Sequence, residues 1–337
     1  MPAGKTRARA FVHRGGGVRV AGTVIACDAA AGTDLVFLSH APALSVHARR
    51  AVPRLGGARR HLLATDVTLA LLGPAGDRLK AHALPAGYGR PFSLGDLRLE
   101  MFPSGFMPGA ASLLCEQGGR RIVYAGPIGA VDADVRAADA LCIDATFATA
   151  ATAFPARADA LAGVGRAVRD VLAGGRAPVV LVDPVAVAVD VGAALAADRI
   201  GLTAHRAIVQ AGAAFRRAGL PAPALQRFAG KVAPGEALLW PAAVRVPPRR
   251  AGAREPGIIL VSADADRAAV VADEAVARVV FPTAADFAGL VRYIEATGAA
   301  EVALVNAPGD ELAVLLRGRG VDVYTLGPPR QIELFAA

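Results

Sequence analysis

Apolar positions in the first 150 residues come in short runs broken by Gly and Pro, a pattern of strands joined by tight turns. Val18 to Asp28 predicts a hairpin, and Leu35-Val36-Phe37-Leu38 a short strand that runs into Ser39-His40. Leu97, Leu99 and Met101 alternate with Arg98 and Glu100 after a Gly95-Asp96 turn, which is strand period. Ser112–Glu116 and Arg121–Tyr124 flank Gly118-Gly119 and predict a second hairpin; Ala140–Asp144 reads as a buried strand. Helices are predicted at Ser45–Leu55, closed by Gly56-Gly57, and at Thr65–Leu72, closed by Gly73-Pro74.

The period changes after residue 155. Asp159–Ala173 is an amphipathic helix ended by Gly174-Gly175, and Pro178–Val182 is a continuous apolar run of the kind found in central parallel strands. Helices follow at Val185–Ala197 and Ala204–Ala218. This alternation implies an α/β subdomain. Val246-Pro247-Pro248-Arg249-Arg250 is the expected linker. Beyond it come strands at Ile258–Ser262, Val279–Phe281, Val302–Asn306 and Val321–Leu326, with helices at Ala285–Thr297 and Glu311–Arg317.

Composition adds three limits. With 337 residues, 54% of them hydrophobic, the chain can bury a sizeable core, and with 5% aromatics that core is built from Ala, Val and Leu. The net charge of +8 favours phosphate partners, but is equally the mark of an Arg-rich chain with no such role. Cys27, Cys115 and Cys142 are scattered and odd in number, which argues against a disulfide framework or a zinc ribbon and for buried thiols in a reducing cytoplasm. Met1 to Arg9 has no signal-peptide pattern, and no apolar run is long enough to span a membrane. Gly15-Gly16-Gly17 lacks the residues of a phosphate loop, and no Gly-x-Ser-x-Gly elbow occurs. Ser39, His40 and Asp28 have the composition of a triad, but adjacent Ser and His side chains are expected to point apart on a strand.

Several motifs fall in one order. Pro103-Ser104-Gly105-Phe106-Met107-Pro108-Gly109-Ala110-Ala111, Tyr124-Ala125-Gly126-Pro127, Ile143-Asp144-Ala145-Thr146-Phe147, Ala284-Ala285-Asp286-Phe287 and Val305-Asn306-Ala307 follow Ser39-His40 across almost the whole chain. Together they resemble the β-CASP nucleases of the metallo-β-lactamase fold, and most nearly the bacterial ligase-associated DNA exonuclease and messenger-RNA 3′-end-processing branch. That family writes His-x-His-x-Asp-His after the first strands; here only His40 is kept, with Pro42, Leu44 and Ser45 in the other places. Phe106 replaces a ligand His, Pro127 the metal-bridging Asp, Ala284 a motif His and Asn306 the last ligand His, while Asp28 and Asp144 hold the family's supporting acidic positions. Zinc needs imidazole, thiolate or carboxylate donors, which Pro, Leu, Phe, Ala and Asn do not offer.

The resemblance implies an α/β (α+β) chain: a metallo-β-lactamase αβ/βα sandwich from residues 1–150 and 256–337, with an inserted β-CASP-like α/β subdomain at 151–255. It further implies a catalytically inactive, cofactor-free, cytoplasmic relative of the nucleases, acting as a nucleic-acid-binding or scaffolding subunit in DNA repair or RNA processing. The alternatives are an active metal-dependent hydrolase with a rebuilt site, and a structural partner of an active β-CASP paralogue. Phe106 and Leu44 are expected to fill the space left by the ions. Arg49, Arg50, Arg54, Arg59 and Arg60 are expected to contact DNA or RNA. Gln331-Ile332-Glu333-Leu334-Phe335 resembles the sliding-clamp-binding pentapeptide, so Gln331, Leu334 and Phe335 are the expected clamp contacts. No membrane partner is expected.

Overall fold

A computed structural model describes residues 8–14, 17–29, 35–41, 61–84, 86–130, 133–244, 255–264 and 275–327. The first sheet is built in chain order from β1 (Phe11–Arg14), β2 (Gly17–Val20), β3 (Ile25–Cys27), β4 (Leu35–Phe37) and β5 (His61–Leu63). Its first two pairings are antiparallel and its last two parallel. Two helices follow, α1 (Asp66–Leu71) and α2 (Pro74–Lys80). Thr65 starts α1 as its cap: its hydroxyl accepts from the Thr68 N–H at 3.0 Å.

The second sheet opens with β6 (Phe92–Leu94), β7 (Leu97–Pro103), β8 (Ala111–Gln117), β9 (Arg120–Gly126) and β10 (Ala140–Asp144). The chain then leaves it for α3 (Arg157–Ala173), β11 (Ala177–Asp183), α4 (Val187–Ala197), β12 (Gly201–Ala204), α5 (Arg206–Arg217), β13 (Gln226–Arg227), β14 (Glu236–Pro241), β15 (Pro256–Ser262) and β16 (Ala275–Val280). These strands form a third sheet, parallel throughout, in the order β13-β12-β14-β11-β15-β16. The chain returns through α6 (Phe287–Thr297), β17 (Glu301–Val305), α7 (Glu311–Gly318) and β18 (Asp322–Leu326). The completed second sheet runs β18-β17-β10-β9-β8-β7-β6.

Burial orders these pieces into layers. Phe37 and Leu63 of the first sheet pack with Leu99, Met101, Leu113 and Tyr124 of the second, so the two sheets lie face to face. Each fully buried Leu or Phe contributes about 1.5–3 kcal/mol here. The far face of the second sheet is covered by Leu290 and Ile294 of α6 and Leu312 and Leu316 of α7. The far face of the first sheet, through Val36 and Leu62, meets Leu69 and Leu79. That same core continues into α3, α4, α5 and one face of the third sheet, through Val164, Val191, Ile208 and Val180. The chain is thus a mixed α/β protein, with helices outside two facing sheets and a parallel sheet joined to them by a shared core.

Three expectations change. β12 and β14 were not foreseen: Ala204 ends a strand instead of opening a helix, and Glu236-Ala237-Leu238-Leu239-Trp240 pairs on both sides. The stretch expected to rejoin the first unit at residue 256 instead supplies β15 and β16 to the third sheet. An apolar strand carries no mark of which sheet it joins, because every buried parallel strand reads alike. The Ser45–Leu55 helix and the linker around Pro247 lie outside the described residues.

Candidate functional site

A cleft of about 700 Å³ lies where the strands of two sheets end. On one side it is lined by Asp28 after β3, His40 after β4, Asp144 at the end of β10 and Asn306 after β17. On the other it meets Asp183 at the end of β11, Ser262 at the end of β15 and Phe281 after β16. Carboxyl ends of parallel strands are where open α/β sheets place ligands, because the loops there are free to carry side chains.

Asp28 organises the first wall. Its backbone is left-handed, with φ of +49°, a conformation Asp tolerates better than most residues. Its Oδ1 accepts from the Ser39 N–H at 2.8 Å. Its Oδ2 accepts from the Ser39 hydroxyl at 2.6 Å and from the Tyr124 hydroxyl at 2.8 Å. Ser39 is 1% exposed and Tyr124 is 6% exposed, so these are charge-assisted bonds sheltered from water. Burial, with the Asp28 carboxylate beside it, holds the Tyr124 phenol well above its ordinary pKa, so it stays a donor.

His40 completes the chain of contacts. Its Nδ1 lies 2.8 Å from the Ser39 Oγ. Ser39 has one hydroxyl proton and gives it to Asp28, so Nδ1–H of His40 is the donor in this contact. The expectation that Ser39 and His40 point apart is therefore corrected: both lie beyond the end of β4, where strand alternation no longer applies. The order Asp28–Ser39–His40 is not that of a nucleophilic triad, in which the imidazole stands between acid and hydroxyl and takes the hydroxyl proton.

The replaced positions gather around these groups. Phe106 meets the His40 ring edge to face, centroids 5.2 Å apart. Phe106, Pro127, Ala284 and Asn306 all line the cleft with His40, Asp28 and Asp144. The open volume beside them corrects the expectation that the space would be filled; Phe106 covers His40 without closing the cleft. Asn306, also left-handed at φ +59°, donates through Nδ2 to Asp144 Oδ2 at 2.7 Å. Asp144 Oδ1 accepts from the Thr146 N–H at 3.0 Å and from its hydroxyl at 2.6 Å.

Two glycines of the motifs hold the backbone that frames this wall. A Cβ on Gly126, at φ +61°, would sit 3.2 Å from the Ser39 Oγ. A Cβ on Gly109, at φ +80°, would lie 2.8 Å from the backbone N of Thr68. The Gly109 carbonyl accepts from the hydroxyls of Thr65 and Thr68 at 2.7 and 2.8 Å, tying its loop to the start of α1.

The donor set does not fit the metal pair that the resemblance implies. His40 is the one imidazole among the replaced positions described, and the nearby carboxylates are engaged by the protein's own donors. Among the described residues no group of three His, Cys, Asp or Glu is arranged to hold an ion. Cys27 and Cys142 are buried, and burial raises both thiols well above their ordinary pKa, so they are inert neutral groups.

The second wall is built otherwise. Arg157 of α3 pairs with Asp190 of α4 and lies 5.2 Å from the centre of the Phe281 ring. No motif pointed to this pair, and no sequence signal marks it. Tyr124 was visible only as a motif letter; its bond to Asp28 needed the fold. Pro42, Leu44, Ser45, Arg49, Arg50, Arg54, Arg59, Arg60, Gln331, Leu334 and Phe335 lie outside the described residues. No helix among the described residues is long and apolar enough to cross a membrane. No family model matches the chain, and no curated protein matches it either.

Proposed function

We propose that the chain is a metallo-β-lactamase-type sandwich with a β-CASP-like insertion whose metal site has been dismantled, and that it acts as a non-hydrolytic nucleic-acid-binding or scaffolding subunit. One observation carries the reading. Seven positions that the family motifs assign to one metal centre, far apart in sequence, line one cleft, and five of them offer no free ligand: Phe106, Pro127, Ala284 and Asn306 cannot ligate zinc as the family does, and Asp28 is committed to Ser39 and Tyr124. The motif glycines persist because the backbone needs them, independently of metal.

Charge supports a phosphate partner. Segments 42–60 and 245–254 together contain nine arginines and no acidic residue, more positive charge than the net +8 of the whole chain. Arg49, Arg50, Arg54, Arg59 and Arg60 belong to the first, which follows directly on cleft-lining Ala41. Cytoplasmic DNA-repair or RNA-processing assemblies offer such partners, and an active β-CASP paralogue or a sliding clamp bound through Gln331, Leu334 and Phe335 would supply the protein contacts.

The test is affinity for a labelled single strand against salt. Each neutralised phosphate contributes about 0.7 to the slope of log affinity on log salt. Charge reversal at Arg59 and Arg60 should flatten that slope by roughly the same amount for each phosphate no longer neutralised. Binding that ignores salt, or cleavage of the strand with a stoichiometric bound metal, would overturn the proposal.

A further inference from the structure

The third sheet ends at β16, and β16 is the longest end strand among the described residues. It has six residues, against four in β1, three in β5, three in β6, five in β18 and two in β13. Sheet ends are usually kept short, charged or covered, since their outer peptide groups template pairing. β16 reads Ala-Val-Ala-Arg-Val-Val, with a single charge, and Val276 is 46% exposed. Alongside it an open groove of about 720 Å³ runs between β16 and α3. The helix side of the groove is shallow in side chains, with Ala160, Gly163 and Ala167. Asp159 and Arg166 stand at its rim, both exposed, and neither has an ion-pair partner among the described residues.

We propose that this edge is where two copies of the chain associate, their β16 strands pairing antiparallel about a two-fold axis near Val279 to join two third sheets into one. The symmetry of the charges selects a second copy as the occupant. Gly163 faces Val279: a Cβ there would lie 3.7 Å from the Val279 Cγ1. Asp159 comes four residues before Gly163 and Arg166 three after it, so the two sit on one helix face about two turns apart. A two-fold axis at this point reverses one helix against the other. Asp159 of each copy then meets Arg166 of its mate, and the pairing occurs twice. An unrelated peptide strand has no reason to match that order.

The experiment is light scattering on the purified full chain at low salt, with thermal melting as a check on folding. The expected mass is twice the 34.2 kDa of the chain. Val276→Lys places a charge on the pairing edge and should give a monomer with an unchanged melting temperature. Asp159→Arg should do the same, by setting arginine against arginine. Asp159→Arg combined with Arg166→Asp merely inverts the order of the pair and should restore the dimer. A wild-type chain that stays monomeric up to about 100 µM overturns the proposal. So does a dimer indifferent to Val276→Lys, or a charge swap that fails to restore what the single reversal broke.

Discussion

The two walls of the cleft are both made from carboxyl ends of parallel strands, yet they treat their charged groups in opposite ways. On the sandwich wall, Asp28 is held by three donors from residues that are almost wholly buried. On the wall of the third sheet, the Arg157–Asp190 pair keeps 51% and 36% of its side-chain surface in water. Buried hydrogen-bonded charge is expensive to disturb, because a stranded donor cannot turn to solvent. Exposed charge is cheap to disturb, because water takes over. The wall where the family's ions would stand is therefore the structural one, and the opposite wall is free to vary.

The largest expected effect is at Asp28. Asp28→Ala strands the Ser39 N–H, the Ser39 hydroxyl and the Tyr124 hydroxyl, at roughly 1–3 kcal/mol for each unsatisfied group, and removes a residue suited to a left-handed backbone. A loss of about 3–5 kcal/mol in urea unfolding is expected. Asp28→Asn keeps the shape and the backbone preference and should lose less. A melting temperature unmoved by Asp28→Ala would erase the contrast between the walls.

Alkaline pH probes the same interior without mutation. Burial raises the Cys115 thiol to about 11 and the Tyr293 phenol to about 12. Both groups are neutral when protonated, and in the unfolded chain they ionise near their ordinary values of 9.0 and 10.0. The unfolded state thus releases its protons first, and folding stability drops as pH rises from about 9 through 12. Cys27, Cys142 and Tyr124, shifted in the same direction, add to that loss. Denaturation midpoints measured from pH 8 to 11 should fall steadily; a flat profile would mean that these groups reach water in the native state.

Much of this arrangement could be read in the chain, and the exceptions have physical causes. Turn chemistry and strand period located the hairpins at Gly118-Gly119 and Gly95-Asp96, because both signals are local. The helix over Phe287–Thr297 carried its cap at Asp286 and its left-handed Gly298 in plain sight. β14 and the sheet membership of β15 were hidden, since pairing partners are set by residues far away in sequence. At the site, the motif spacing brought Phe106, Pro127, Asp144, Ala284 and Asn306 to one cleft with His40. The Ser39–His40 contact was misjudged, because a rule for strands was applied past the end of β4. Gly109 and Gly126 show why letters outlast ligands: one passes against the start of α1, the other against Ser39, and neither tolerates a side chain whatever the cleft does.

Tyr124→Phe separates the charge from its neighbours. It removes one of three donors to Asp28 and leaves the ring in its edge contact with Phe37, 6.1 Å between centroids. The carboxylate keeps both bonds from Ser39, so the expected loss is about 1–2 kcal/mol, well short of Asp28→Ala. Coupling is the sharper readout. The double variant Asp28→Ala with Tyr124→Phe should be less unstable than the sum of the two, because the phenol no longer has a proton to strand. Strict additivity would show that the two side chains do not depend on each other.

Arg157→Ala tests the other wall and should do least. The pair with Asp190 is half in water, and exposed pairs are worth about 0–1 kcal/mol. The contact of the guanidinium with the Phe281 ring adds about 0.5–1 kcal/mol at most at such a site. A fall of no more than about 1 kcal/mol is therefore expected, and it should shrink further in high salt. Removing Arg157 also makes this wall more acidic, since Asp190 loses its partner while Asp183 and Asp264 remain at the cleft. If single strands enter the cleft, Arg157→Ala should weaken their binding by more than it weakens the fold, with a salt slope lower by about 0.7. Equal binding by the variant and the parent would place the phosphate contacts elsewhere, and would leave the arginines of segments 42–60 and 245–254 as the surface to mutate next.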